Sequence, residues 1–418
     1  MITGYATAIL VLASLLAAGK TPSTGIACFG KETIDYRRPG KPSVKAIFGE
    51  PVTVAIAPKA VGWGEYQFPA IERWDDGALH VTFCISPDSI KSYGNAPGSM
   101  ISRDGGKTWS PPAGEPGISG LLLPNGDRIV ITTPRAQPVA DLKLPKSVGT
   151  IQGVIVYRLT ELPADLQTVR LDRMPKGSNT WTPEQAKLID PQALRYSLDG
   201  LFPILFWGDV RVASDGSLIA GIYPGYRVLD DGTVDPKDGT FFYRSTDSGH
   251  TWIIQGRITY QYDLKADPKG AGRSGFTEPA FEILADGSLL CVMRTDGPMY
   301  ASRSKDLGKT WSKPAAMTPN GVLPRLLRLG NGVLVLSSGR PGVQVRFATD
   351  GKGERWTDPF EIVPRTESGG ADTCGYTGLL ATGPDSFILA YSHFKHRTEN
   401  GQTRKAILIR EVKVQRGD

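Results

Sequence analysis

The chain is poor in the side chains that metal and redox chemistry use, with four histidines and four cysteines in 418 residues. No Cys/His spacing matches a zinc site, so a metal-dependent hydrolase is disfavoured and no cofactor is expected. Cys84, Cys291 and Cys374 lie in or beside apolar stretches, where a free thiol behaves as a small hydrophobe. Charge of one sign is also scarce. A net +6 comes from 48 basic and 42 acidic residues scattered along the chain, without a basic run or an aromatic-interleaved stripe, so nucleic acid is not an expected partner. Helical periodicity is nearly absent, and only "TPEQAKLIDPQALRYS", from Thr182, reads as a helix.

Long apolar runs are confined to the N-terminus. "MITGYATAILVLASLLAAGK" has an apolar core of signal-peptide length followed by small residues near Ala17, Ala18 and Gly19, although no Lys or Arg precedes that core. It is too short and poorly flanked for a stable membrane span. Residues 1–19 are therefore expected to be an export signal, 20–45 a Gly/Pro-rich lead-in, and the chain secreted or periplasmic. Cys28, in "TGIAC", sits too far beyond the apolar core for a lipoprotein cleavage site.

What the chain has in abundance is punctuation, 49 glycines and 32 prolines between short, often alternating apolar segments. Two repeats run through it. Six hairpins of strand, tight turn and strand read "ERWDDGALHVTF", "LLLPNGDRIVI", "VRVASDGSLIAGI", "FEILADGSLLCVM", "LLRLGNGVLVLS" and "LLATGPDSFILAY". In four of the six a second turn follows 19 to 32 residues later: "SRDGGKTWS", "STDSGHTW", "SKDLGKTWS" and a worn "ATDGKGERW". Asp accepts backbone hydrogen bonds in such a turn, Gly supplies positive φ, and Thr-Trp starts the returning strand. Asp104, Asp247, Asp306 and Asp350 are accordingly expected to be structural staples without chemistry of their own. An inner and an outer hairpin in each of six units predict an all-β, six-bladed β-propeller with four-stranded blades over 46–418. The long interval between Asn125 and Asp215 predicts an insertion around 130–205 at one rim.

Hairpins with this repeated box resemble the exo-sialidase superfamily, whose repeats are called Asp boxes, and the resemblance covers roughly residues 50 to 415. Such boxes also occur in non-catalytic propellers, so three further stretches carry more weight. "TEPAFEILADGSLLCVMR" resembles the segment in which a Glu partners the nucleophile and an Arg grips the substrate carboxylate, which implies those roles for Glu278 and Arg294, sixteen residues apart. "GRPGVQVRFATDG" places Arg340 where a second carboxylate-binding Arg is found. "DTCGYTGLL" resembles the nucleophile stretch, which makes Tyr376 the candidate. A tyrosine keeps its proton to about pH 10, so it needs a base and nearby cations before it can attack.

The pattern breaks twice. Members of that superfamily open the propeller with an Arg in an R-I-P-like stretch, whereas this chain reads "YQFPAI", with Gln67 at that place. Gln67 is expected beside the substrate as a neutral replacement. The acid/base that the resemblance implies is an Asp between the first inner hairpin and the first box, where "CISPDSIKSYGNAPGS" offers Asp88 as its sole carboxylate, with Asp209 in reserve. Asp88 stands further from the box than is usual there, in a Pro-Asp-Ser stretch that also reads as an ordinary turn. The resemblance implies a secreted exo-glycosidase acting on terminal, acidic sugars of a glycan by a retaining Tyr/Glu mechanism. Two alternatives stand beside it: the same fold acting on a non-sialic sugar, and a non-catalytic propeller that binds glycans or proteins.

Overall fold

Short alternating apolar segments separated by glycine turns form strands, and strands form almost everything here. The structure is a computed structural model that describes residues 25–113, 117–198, 200–202, 206–364 and 372–417. The expected export signal lies outside these residues. Among the described residues the only helices are single 3-10 turns, and none is long and apolar enough to cross a membrane.

The molecule is a six-bladed β-propeller. Blade 1 comprises Gln67–Arg73, Leu79–Cys84 and Gly98–Ser102, with a bridge between Ile101 and Ser110 where a fourth strand would run. Blade 2 comprises Leu121–Leu122, Arg128–Ile131, Thr168–Met174 and Thr182–Ile189, and blade 3 Phe206–Val212, Leu218–Gly225, Gly239–Ser245 and Thr251–Ile258. Blade 4 runs from Thr277–Ile283 through Leu289–Arg294 and Met299–Ser304 to Ala315–Thr318. Blade 5 is built from Val322–Arg328, Leu334–Gly339, Val343–Ala348 and Phe360–Val363. The six sequence hairpins supply the first two strands of each blade.

The ring closes in blade 6. Its chain-terminal strands Thr377–Ala381, Ser386–Arg397 and Thr403–Arg416 take their outer partners from the other end of the chain: Val52–Ile56 and Val44–Phe48 both pair with the last strand. The segment read as a lead-in is also tied down. Ile26–Ala27 adds to the outer edge of blade 5, and the buried Arg410 guanidinium donates to the carbonyls of Cys28, Gly30 and Gly49. Cys28 itself is in the core between blades 5 and 6, where burial pushes its thiol up to about 12.

The repeated turns work as the sequence suggests. Asp104 accepts from the Ser102 hydroxyl, from the backbone N–H groups of Lys107 and Thr108 and from the Thr108 hydroxyl, while Trp109 donates to the Gly106 carbonyl. Asp306 repeats the pattern, and Asp350 accepts four backbone N–H bonds. Each turn's tryptophan then wedges into the apolar layer between its own blade and the one before. Trp109 packs with Leu79 and Ile409, Trp252 with Val169 and Tyr243, Trp311 with Phe242 and Leu289, and Trp356 with Leu290 and Leu334. The fixed spacing therefore sets both a hairpin and an inter-blade contact.

The helix expected from Thr182 is not formed. Residues 182–197 make two strands, Thr182–Ile189 and Leu194–Ser197. Pro191 caps any helix at about two turns, a length that is marginal in water. Read with period two, Ala186 and Leu188 face the core on either side of the exposed Lys187, and residues 187–189 pair in parallel with the outer strand of blade 3. Within the stretch read as an insertion, 168–189 thus belongs to blade 2. Its flanks carry an extra three-stranded sheet of Gly149–Ile151, Val154–Arg158 and Leu194–Ser197.

Candidate active site

Three inner strands begin with the same irregularity. "QFPAIER", "TEPAFEI" and "VLPRLLR" open blades 1, 4 and 5, and in each the register slips between the first and fourth residues. The second residue, just before the proline, has positive φ: Phe68 at 55°, Glu278 at 46° and Leu323 at 38°. Such a conformation is strained for a side chain with a Cβ, and strain of this kind concentrates at functional sites.

Glu278 is buried, and both of its oxygens are occupied. Oε1 accepts from Arg294 Nη1 at 2.8 Å and from the phenol of Tyr376, and Oε2 accepts from the backbone N–H of Leu323 at 2.9 Å. The Leu323 bulge thus aims a peptide N–H at the carboxylate of the neighbouring blade. Burial and the Glu278 charge hold the Tyr376 phenol well above its ordinary value, although Arg294 and Arg340 pull the other way. Burial opposes the charge on Arg294, yet Glu278, Tyr376 and Tyr223 together outweigh it and hold the guanidinium above its usual value. Arg340 donates through Nε to the Cys374 carbonyl at 3.2 Å and lies 5.8 Å from the Tyr376 ring centroid and 5.5 Å from that of Trp63.

A cavity of about 430 Å³ lies against Tyr376, a volume typical of small-molecule pockets. Asp88 lines it too, its Oδ2 accepting from the Trp63 indole N–H at 2.9 Å. Tyr93 and Arg325 add polar groups, and Phe68, Pro69 and Ile131 an apolar wall. Burial, Asp88 and Glu278 push the Tyr93 phenol up to about 12.

The structure therefore brings Tyr376, Glu278 and Arg294 into one hydrogen-bonded chain, with Arg340 over the Tyr376 ring and Asp88 across the cavity. Gln67 is placed elsewhere than expected. It is fully buried behind the wall, pairs with Cys84, and its amide oxygen accepts from Lys405 Nζ at 2.7 Å and from the Gly64 N–H at 3.2 Å. The bulge turns Phe68, the next residue, into the cavity and packs its ring 4.9 Å from that of Tyr376. The Asp209 side chain lies outside the described residues. Trp63, Phe68, Tyr93 and Arg325 were not legible as site residues individually, although the thrice-repeated residue-Pro start of an inner strand was a sequence signal for two of them.

No protein-family model matches the sequence, and no curated protein matches it. Among solved structures the chain is similar to a protein of unknown function from Dyadobacter fermentans, at 19% identity and a TM-score of 0.60, covering 88% of this chain and 99% of that one. It is also similar to the NanB sialidase of Streptococcus pneumoniae, at 11% identity and a TM-score of 0.52, covering 87% and 71%. An α-L-arabinanase from Penicillium chrysogenum matches at 16% identity and a TM-score of 0.49, over 87% and 98%. At these identities the likeness is one of fold alone.

Proposed function

We propose that the chain is an exported exo-glycosidase that hydrolyses a terminal sugar with retention of configuration. Tyr376 attacks the anomeric carbon as Glu278 takes its phenolic proton, and Asp88 protonates the departing oxygen. Asp88 then removes a proton from water, which attacks the glycosyl-tyrosine, and the phenolate recovers its proton from Glu278. The observation that carries this reading is the hydrogen bond from Tyr376 to Glu278 beside a cavity that Asp88 also lines. A neutral nucleophile backed by a base avoids repelling an anionic sugar. The propeller shared with a sialidase supports the same chemistry, and the apolar stretch near the N-terminus supports export.

A second reading keeps the fold and the Tyr/Glu pair but takes a non-sialic sugar. It is favoured by Phe68, an apolar ring in the place where the resemblance implied a polar substrate contact.

The test is a panel of aryl glycosides, sialoside, uronides and neutral sugars included, assayed with wild type, Tyr376→Phe and Asp88→Asn alongside thermal melts. Tyr376→Phe should lose turnover on the best substrate while melting within a few degrees of wild type. Asp88→Asn should lose about 10²–10⁴-fold on substrates with poor leaving groups. Nuclear magnetic resonance of the first-formed product should show retained anomeric configuration. A well-folded Tyr376→Phe with full activity would remove the proposed nucleophile.

A further inference from the structure

The geometry points to Arg325 as the residue that selects an acidic sugar, an inference that rests on reading the cavity as the glycoside site. Arg325 is the fourth residue of "VLPRLLR", the place that Ala70 and Ala280 hold in the matching strands of blades 1 and 4. An alanine there leaves space, whereas the arginine fills it with a half-buried guanidinium on the cavity wall.

Of the two charged groups that line the cavity, Asp88 and Arg325, only Arg325 has a side chain without a partner; Arg340, which also has no ion pair, donates to the Cys374 carbonyl and does not line it. Glu278 is occupied by Arg294, Tyr376 and the Leu323 N–H, and Asp88 accepts from Trp63. Arg294 is spent on Glu278 at 2.8 Å and does not line the cavity. The Arg325 guanidinium makes no hydrogen bond or ion pair with any described residue, its backbone alone pairing with Ser337 in the strand ladder. A guanidinium is charged at every accessible pH and carries five donors in a planar fork that matches a carboxylate. Leaving such a group half-desolvated and unpaired is costly, and an anion brought by the ligand offsets that cost.

The rest of the wall fits a sugar ring. Phe68, Pro69 and Ile131 offer apolar surface, while Asp88 and Tyr93 can meet hydroxyls. A sugar with one carboxylate on Arg325 satisfies the cavity's unpaired cation, and a neutral sugar of the same shape leaves it unpaired. Selection for acid therefore comes from blade 5 and does not need an arginine at the Gln67 position.

The experiment separates recognition from catalysis by measuring binding in a Tyr376→Phe background, where turnover cannot interfere. N-acetylneuraminate, glucuronate and galacturonate are titrated calorimetrically beside glucose and galactose, at low and at moderate salt. At least one acid should bind about tenfold or more tighter than the neutral sugars, as charge-assisted hydrogen bonds imply, and the preference should shrink with salt. Adding Arg325→Gln should abolish the preference, and Arg325→Lys should restore part of it, with melting temperatures no lower than that of the Tyr376→Phe parent. No acid bound in preference to neutral sugars, or a preference that survives Arg325→Gln, overturns the inference. Acid binding that depends on Arg325 in a chain that hydrolyses no glycoside would overturn the enzymatic reading and leave this one standing.

Discussion

The phenol of Tyr376 donates its hydrogen bond to Glu278, a residue 98 positions earlier, and the same carboxylate oxygen accepts from Arg294. One oxygen thus joins the entry to the inner strand of blade 6, the start of the inner strand of blade 4 and the end of that strand's hairpin partner. The carboxylate holds the guanidinium by charge and the tyrosine by hydrogen bonding, so a change at Glu278 reaches both neighbours.

Glu278→Gln is expected to abolish turnover, since an amide cannot take the tyrosine proton, and also to destabilise the fold. It leaves the largely buried Arg294 with only the exposed Asp296 carboxylate, 3.9 Å away, as an anion, at a cost of up to roughly 3–5 kcal/mol. Arg294→Gln should be destabilising for the mirror-image reason. The double variant should be more stable than the sum of the two single losses predicts, with a coupling on the order of 1–3 kcal/mol. Chemical denaturation of all four proteins measures this, and strict additivity would mean that the 2.8 Å pair is energetically idle.

Gln67→Arg should report on stability and not on sugar specificity. The new guanidinium would sit in a fully buried position against Lys405, whose ammonium already lies at 2.7 Å from the Gln67 oxygen and whose pKa burial has lowered. Two cations there should lower the melting temperature by several degrees, whereas Gln67→Glu should melt close to wild type because it gives Lys405 an anion. A Gln67→Arg protein that melts like wild type and gains affinity for acidic sugars would put position 67 back in the site.

Asp238 should make stability fall with rising pH. It is 3% exposed, its Oδ1 has no partner among the described residues, and burial, with Asp296 and Asp235 adding to it against the Tyr226 hydrogen bond, pushes its carboxyl up to about 7. The unfolded chain titrates this group near pH 3.9 (about the free value). Because the folded state holds the proton more tightly, the group's contribution is fully present below about pH 4, is lost as pH rises to about 7 and is flat above that. Urea unfolding between pH 4.5 and 8 should show this slope in wild type and its loss in Asp238→Asn. The same slope in both proteins would place its source elsewhere.

Local chemistry determined much of this molecule. Six glycine turns between alternating apolar segments fix six hairpins, and the Asp, Gly and Trp of the repeated turns fix their own hydrogen bonds within five residues, so the propeller could be counted from the sequence. Tyr376, Glu278 and Arg294 were legible because their surrounding stretches resemble known ones. The helix from Thr182 was misread because its apolar residues fit two periods, and only the neighbouring strand of blade 3 chose between them. Gln67 and Phe68 show the same limit at single-residue scale: a bulge reverses which of two adjacent side chains faces the channel, and its position depends on the paired strand. Arg325 gave no local signal beyond its place in a strand that opens with residue-Pro. Its significance depends on having no partner, and whether a charge is paired is decided by residues distant in sequence that only the closed ring brings near.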